Sequence, residues 1–439
     1  METTPVPPGI FHDVLAAPDR TQIPGASPII SLHGDEEANE FLAIKPWIQE
    51  TLSLKRRGAD HGDWLILKPE AAVQREDHPP EVLLDERWFE AKPILLPGFL
   101  EPQESEDQAG TRFQTLAGKK GLRAFMGQYI DRLGETFAPG SNMHLHESTR
   151  DLERIKLGED QDLWAKLGKL SNHKSDASLR LRFAFGKEGS DDASRDIERH
   201  RLVTEVAELL MPDARTMRTD PWLHERLQRW IGGPVLPTQH IAYFNAPGGG
   251  ALWHHDGFKE PLEGGQRGVL YTQIAGRTAW LALSIDELCH LVREFLEYLG
   301  DGDLPWVREK LAPKPAAFDR LVALGKRFPR LRRELARPGG GELSGLIHAA
   351  PEFTALCADA GHAFILGPGD ALLLPNHGLE KTVMHTVFCA SETPTYAIST
   401  ALREDKSYPE LGGRGSSGNV GGGASRRGSS RSRRRGRGH

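Results

Sequence analysis

The sequence predicts an α+β fold in which a β-rich C-terminal half is interrupted by a helical insert. Residues 238–285 form apolar and aromatic runs between glycine-rich turns, which is typical of antiparallel strands: TQHIAYFNAPGGGALW, GVLYTQIAG and RTAWLALSI. Residues 286–359 place apolar side chains at helical spacing, as in IDELCHLVREFLEYLG. Strands then return in HAFILGPGDALLLP, KTVMHTVFCA and TPTYAISTALR. Because strands separated in sequence can complete one sheet system, we expect a single core over residues 238–411.

The N-terminal part of the chain predicts a mixed α/β region. Residues 1–110 alternate proline-rich connectors with short candidate strands in DWLILKP and AKPILLPGFL, and the prolines favour sheet edges and turns over long helices. We expect this strand-and-loop region to pack on the core. Residues 111–237 predict a mixed helical region, with helices in GLRAFMGQYIDRLGETF and SRDIERHRLVTEVAELLM and a strand in SLRLRFAFG.

The charge of the chain is distributed unevenly. The formal net charge is −6, but residues 412–439 carry eight arginines and no acidic residue, which leaves −14 on residues 1–411. The acidic remainder argues against a general nucleic-acid binder. The Gly/Ser/Arg-rich tail predicts disorder. Two interpretations of this tail stay open: a solubilising extension, or an electrostatic contact with nucleic acid or another acidic partner.

Cysteine usage and the N-terminus both favour a cytoplasmic protein. Cys289, Cys357 and Cys389 lie far apart and form no CxxC pair, so neither a disulfide framework nor a thiolate zinc site is indicated. The first residues show no basic segment followed by an apolar core, and no window reaches about 18 consecutive apolar residues. We therefore expect a soluble protein that does not enter the membrane.

The stretch GALWHHDGF at 250–258 contains a candidate metal site. Side chains two apart on a strand point to the same face, so His254 and Asp256 can converge while His255 points away. An imidazole and a carboxylate are two of the three ligands of the 2-His-1-carboxylate triad that binds non-haem Fe(II). The triplet alone is weak evidence, since many such triplets lie in polar loops.

Two histidines compete for the third position. His385 lies in the strand-like run KTVMHTVFCA, whereas His377 lies in a turn after Pro375. A strand holds a ligand more rigidly than a glycine-flanked turn, which favours His385, although a buried histidine bonded to carbonyls is the structural alternative. The cluster His144, His146 and Glu147 lacks a flanking strand pattern and is interpreted as a polar loop.

Over residues 238–403, the chain resembles the JmjC-like, cupin-type Fe(II)/2-oxoglutarate oxygenases. The resemblance is carried by four segments in this order: HHDGF, GVLYTQIAGRTAWLALS, GPGDALLLPNHG and KTVMHTV. The resemblance implies a double-stranded β-helix (cupin or jelly-roll) core and places His254, Asp256 and His385 at the metal-ligand positions. It also implies O2 and 2-oxoglutarate as co-substrates and hydroxylation of a C–H bond in a protein, an RNA or a small molecule. A non-catalytic cupin that binds a ligand or partner is the alternative.

The sequence departs from that family at the position of the basic residue that binds the distal carboxylate of the co-substrate. The family carries Lys two residues after the glycine of the QIxG motif, where this chain has Thr278, and Arg277 comes one residue early. A one-residue shift on a strand turns a side chain to the other face. Either a bulge redirects Arg277, or Arg403 or Lys381 supplies the charge. Thr278 and Tyr271 are the candidates for hydroxyl hydrogen bonds to the co-substrate.

Two further departures concern the length of the connections. The insert separates His254 from His385 by 131 residues and is interpreted as a lid, a dimerisation element that would make the chain a homodimer, or a passive insertion. The turn PNHGLEKTVMH is longer than the family's, which keeps His377 open. Because position decides which C–H bond reacts, we select candidate positioning residues beside the triplet and on neighbouring strands: Tyr243, Asn245, Trp253, His255 and Trp280.

Overall fold

The computed structural model describes residues 80–96, 98–145, 151–171, 176–187, 196–215, 220–257, 265–301, 307–312, 314–337 and 341–406, and four short strands before residue 80. The expectations for the tail at 412–439 and for His146 and Glu147 fall outside these residues. Among the helices described, none combines the length and the apolar character needed to cross a membrane.

The strands of the described chain are β1 Ser31–Leu32, β2 Leu42–Ala43, β3 Leu52–Arg56, β4 Asp63–Leu67, β5 Ile94–Leu96, β6 Pro139–His144, β7 Asp151–Leu157, β8 Leu163–Lys169, β9 Leu179–Phe185, β10 Val235–Asn245, β11 Gly250–His254, β12 Gly268–Ala275, β13 Thr278–Ser284, β14 Ala363–Leu366, β15 Ala371–Pro375, β16 Val383–Cys389 and β17 Thr395–Glu404. Every strand predicted over residues 238–403 is confirmed. His144 ends a strand, which corrects the expectation that it lies in a loop without strand context.

The α-helices are α1 Pro80–Phe89, α2 Glu106–Ala117, α3 Gly121–Gly127, α4 Ile130–Leu133, α5 Ile197–Leu210, α6 Pro221–Ile231, α7 Ile285–Asp301, α8 Pro315–Leu324, α9 Phe328–Leu335, α10 Gly341–Ala349 and α11 Pro351–Cys357. Single turns of other helix types occupy Pro212–Arg215, Val307–Leu311 and Ala358–His362.

Helices α1 and α2 overturn the expectation that residues 1–110 contain no long helix. The first residue of α1 is a proline, whose fixed φ and missing N–H suit that position. Helix α2 begins at a capping box, because the Ser105 side chain accepts from the Gln108 N–H while the Gln108 side chain accepts from the Ser105 N–H. The prolines of this region therefore mark a helix start as well as turns.

Fifteen of the described strands build two sheets that share the core, and β3 and β4 pair antiparallel as a separate two-stranded sheet. The large sheet has the order β2-β1-β5-β15-β12-β17-β10-β9-β8-β7-β6, in which only β1 and β5 pair in parallel, and the small sheet has the order β11-β16-β13-β14. From β10 to β17 the chain passes back and forth between the sheets. Strands β13 and β14 flank helices α7–α11 in sequence and pair with each other, so the insert leaves and returns at one sheet edge. The predicted interruption of one β system by helices is confirmed.

Three groups of buried side chains explain this arrangement. One group, here called the inter-sheet core, lies between the two sheets and consists of Leu95, Val269, Tyr271, Trp280, Ala282, Phe364, Leu366, Leu372, Leu374, Val383, Val387 and Ala397. A second group packs the insert on the small sheet, and a third packs α2, α3 and α5 on β7–β10. The expected boundaries at 110/111 and 237/238 fall inside α2 and β10, since β6–β9 extend the large sheet.

Candidate metal centre

His254, Asp256 and His385 converge at one end of the inter-sheet core. One ligand atom from each of the three lies within 4.8 Å of the other two. The His385 Nε2 is 3.7 Å from Asp256 Oδ2, and the ring centroids of His254 and His385 are 4.1 Å apart. His385 is buried, while Asp256 and His254 are partly exposed. The cluster is therefore open to solvent on one side only.

A β-bulge in β11 brings the two imidazoles together. Ala251 pairs with Val387 and His254 pairs with His385, so three steps along β11 match two steps along β16. The extra residue reverses the alternation of faces. Ala251 packs against the inter-sheet core, Trp253 faces the insert, and His254 points to the same side as His385. Without the bulge, His254 would point away from His385.

The side chain of Asn376 helps to hold the loop after β11 at Asp256. Asn376 donates from Nδ2 to the Asp256 carbonyl over 3.3 Å, and its Oδ1 accepts from the Gly378 N–H over 3.0 Å. Asn376 was not selected from the sequence. Its signal is an asparagine in the turn directly before His377, since such side chains bond to backbone groups nearby in turns.

His255 faces away from the cluster and joins this loop to the insert. Its Nε2 lies 2.9 Å from the carbonyl oxygen of Ala336, which directly follows α9. Its Nδ1 accepts from the Gly257 N–H over 2.9 Å, so Nε2 carries the proton and donates to Ala336. Trp253 also packs on the insert, with its rings 6.1 Å from Phe353. Neither side chain is placed to orient a substrate at the cluster.

Burial keeps the His385 imidazole neutral. It holds the pKa of His385 well below the usual range, and the neighbouring His254 and His255 lower that pKa further, while the Val383 carbonyl acts in the opposite direction. The neutral ring is the form that binds a metal. The Nδ1 of His254 lies 2.6 Å from the Leu252 carbonyl oxygen, which leaves its Nε2 for a ligand role.

Beyond His385, the inter-sheet core contains a neutral hydrogen-bond network. The Trp280 ring stacks on the His385 ring at 5.4 Å, and the indole N–H donates to Thr278 Oγ1 over 2.9 Å. Thr278 and Tyr271 both donate from their hydroxyls to Gln273 Oε1, over 2.8 and 3.2 Å. The pKa of Tyr271 is raised, mainly because the side chain is buried, so its hydroxyl stays protonated. We call these four residues the Gln273 network.

The structure does not bring Arg277, Arg403 or Lys381 into this network. A bulge does occur between Gln273 and Ala275, but it precedes the turn and leaves Arg277 exposed. Arg403 is buried near the other end of β17, and Lys381 is exposed in the turn before β16. Of the alternatives for the cation, the bulge that would turn Arg277 inward is therefore not the arrangement observed, because the irregularity lies in β12, before the turn that carries Arg277.

The remaining candidates lie apart from the cluster. His377 binds the Trp88 carbonyl through Nε2 over 2.7 Å and packs beside Phe89, so it belongs to the contact with α1. Tyr243 stacks with Tyr271 at 6.4 Å. Asn245 donates from Nδ2 to Thr395 Oγ1 over 3.3 Å. His144 is exposed in β6 on the far edge of the large sheet.

The donor set fits a divalent transition metal. Two imidazole nitrogens and one carboxylate oxygen are the ligands of the facial triad, and their separations of no more than 4.8 Å allow one ion to contact all three. His385 is buried and neutral beside the half-exposed Asp256 carboxylate. His254, Asp256 and His385 are therefore the residues that could hold such an ion.

No protein-family model and no curated protein matches the chain. Among solved structures, the chain is similar to the YcfD ribosomal oxygenase from Escherichia coli, with 14% identity and a TM-score of 0.26 over 76% of this chain and 51% of that one. A structure of the same oxygenase with cobalt and succinic acid gives 15% identity, a TM-score of 0.25 and coverages of 76% and 52%. The chain thus spans about half the length of these relatives, and superposition at this level carries no conclusion about its site.

Proposed function

We propose that this chain is a JmjC-like oxygenase that uses Fe(II), O2 and a 2-oxo acid to hydroxylate a C–H bond. The observation that carries the proposal is the convergence of His254, Asp256 and His385 within 4.8 Å. The alternation of strands β10–β17 between two sheets supports a double-stranded β-helix as the scaffold. The 2-oxo acid that the sequence resemblance implies is 2-oxoglutarate.

Different residues of the chain would bind the metal, exclude water and leave access for the substrate. His254, Asp256 and His385 would hold the metal, which when bound supplies open coordination positions for the 2-oxo acid and O2. Burial of His385 and Trp280 excludes water from the inner side of the cluster. The half-exposed Asp256 marks the side from which a substrate approaches.

The experiment tests metal binding and turnover separately. Purified protein is titrated with Co(II) as a spectroscopic probe, and then given Fe(II) and a 2-oxo acid while O2 consumption and the shortened acid are measured. We expect His385→Ala to abolish both signals and His377→Ala to preserve both, since only His385 lies in the cluster. Failure of the wild-type protein to bind Co(II), or equal losses in the two variants, would overturn the proposal.

A non-catalytic ligand-binding protein is the second candidate, favoured by one observation. The position where the resemblance places a cation holds Thr278, whose hydroxyl is already bonded within the Gln273 network. This candidate predicts Co(II) binding without O2 consumption for any 2-oxo acid, whereas the proposed oxygenase consumes O2 with at least one of them.

A further inference from the structure

The inner side of the metal cluster is electrically neutral in the part of the chain that the structure describes. The Gln273 network consists of two hydroxyls, an amide and an indole. The side chains around it are uncharged: Asn245 and Tyr243 beside Tyr271 are neutral polar groups, and Leu372, Phe364, Val387 and Ala397 are apolar. Both hydroxyl protons already point at Gln273 Oε1. A buried carboxylate without a cationic partner costs free energy, because the neutral surroundings do not replace its hydration.

The buried arginines Arg180 and Arg182 on β9 and Arg403 on β17 have backbones that lie apart from this network. Arg180 on β9 pairs with Tyr243, and Tyr243 pairs with Ala397, which pairs with Gln273. Three strand spacings, about 14 Å, thus separate the backbone of Arg180 from that of Gln273. Arg403 follows Ala397 by six residues on β17, which is about 20 Å of strand.

The path from the cluster to Thr278 is also obstructed. The Trp280 indole contacts His385 at one end, with ring centroids 5.4 Å apart, and Thr278 at the other through its N–H. Tyr271 packs edge-on against the same indole at 4.6 Å. A ligand that extends inward from the metal therefore meets an aromatic wall and has room for a short tail rather than a long one.

We propose that the co-substrate of this site is a 2-oxo monocarboxylate with a short, uncharged tail, in place of the dicarboxylate 2-oxoglutarate. The inference rests on the proposed function and names the class of its co-substrate. The reaction balances as in any 2-oxo acid oxygenase: the 2-oxo acid loses CO2 and gains one oxygen atom of O2 as the new carboxylate. The other oxygen atom enters the substrate's C–H bond as a hydroxyl, and the 2-oxo acid and the substrate each supply two of the four electrons.

The test uses a matched pair of ligands. In 2-oxovalerate a methyl group replaces the distal carboxylate of 2-oxoglutarate, so the two differ in charge at nearly constant length. Each, together with the shorter pyruvate, is titrated without O2 into the full chain loaded with Co(II), and binding is followed by calorimetry. We expect 2-oxovalerate or pyruvate to bind at least about tenfold more tightly than 2-oxoglutarate, because a buried, unpaired carboxylate is disfavoured.

A charge variant tests whether the lack of a cation at Thr278 is the reason for this ligand preference. Thr278→Lys should shift the preference toward 2-oxoglutarate, whereas Thr393→Lys adds the same charge at an exposed position near that end of the sheets and should leave the preference unchanged. The wild-type comparison decides the proposal even where Thr278→Lys fails to fold.

The outcomes separate this inference from the proposed function. Wild-type protein that binds 2-oxoglutarate as tightly as 2-oxovalerate overturns the inference alone, and a loss of that binding in Arg180→Gln or Arg403→Gln would identify the cation responsible. Protein that binds Co(II) but none of the 2-oxo acids overturns both.

Discussion

The His255 imidazole donates from Nε2 to the Ala336 carbonyl across 2.9 Å and thereby ties the metal loop, residues 254–257, to the helical insert. The same ring accepts from the Gly257 N–H. Asp256 lies between these two residues, so its position depends on a contact with a segment about 80 residues away in sequence. The insert thus has a structural link to the cluster that a passive insertion would lack.

We expect His255→Phe to weaken Co(II) binding by about tenfold, as losses of outer-sphere hydrogen bonds around metal ligands commonly do. Phenylalanine retains a ring but removes both hydrogen bonds of His255. The matched control is His377→Phe, which removes an imidazole bonded to the Trp88 carbonyl outside the cluster. Calorimetric titration with Co(II) measures the affinity, and equal affinities for the two variants would contradict this role of His255.

Gly250→Ala should unfold the β11–β16 pairing locally and lower both stability and Co(II) affinity. Gly250 has φ 146°, and a Cβ there would lie 2.0 Å from the Val387 carbonyl oxygen. Because backbone must move, we expect a loss of about 3 kcal/mol in the free energy of unfolding, measured by urea denaturation.

The control for this change is Gly110→Ala in α2, where an added Cβ meets nothing within 4 Å. An alanine there should stabilise the helix by about 0.5–1 kcal/mol. Similar free energies of unfolding for the two variants would show that the close approach of Gly250 to β16 does not contribute to stability.

Gln273→Leu should cost about 3 kcal/mol of stability or more, since each buried polar group that loses its partner costs about 1–3 kcal/mol. The Gln273 side chain is fully buried, accepts from two hydroxyls and donates to the carbonyls of Ala275 and Tyr396. Urea unfolding at an unchanged m-value measures the loss.

Gln228→Leu on α6, where the amide is half-buried and contacts His224, is the comparison. We expect a change below about 1 kcal/mol there. If Gln273→Leu costs no more than this control, the Gln273 network is not the stabilising feature that its geometry indicates.

The stability of the metal-free protein should fall in acid, and His377 should contribute. Burial is the main cause that lowers the pKa of His377 below 6.5. The folded state therefore keeps this ring neutral at pH values where the unfolded chain protonates it, so stability is lost as the pH falls below 6.5. A single such group contributes a slope of up to about 1.4 kcal/mol per pH unit.

Urea unfolding with a chelator present, between about pH 7.5 and about pH 5.5, measures this slope across the range where histidine titrates. His377→Phe should flatten the dependence relative to the wild-type chain, because contributions of the other histidines are common to both proteins. The same pH dependence of the unfolding free energy in the two proteins would contradict this contribution of His377.

Local patterns in the sequence determined most of the strands and helices. An apolar, β-branched and aromatic run in RTAWLALSI predicted β13, and helical spacing in SRDIERHRLVTEVAELLM predicted α5, because both signals lie within a few neighbouring residues. The same logic failed at α1, where prolines favoured turns and the apolar pattern is weak. The candidate triad was also selected from short motifs, with His377 left as a competitor.

Only the tertiary structure decided how those motifs meet. The bulge between Ala251 and His254 turns the imidazole toward His385, and its extra residue is defined by pairing with β16 rather than by the residues of β11 themselves. His377 instead forms a hydrogen bond with the carbonyl of Trp88, which lies 289 residues earlier in the chain. Sequence determined which chemical groups are available, because residue type and periodicity are local. Their convergence depended on strand register and long-range hydrogen bonds, which no local pattern encodes.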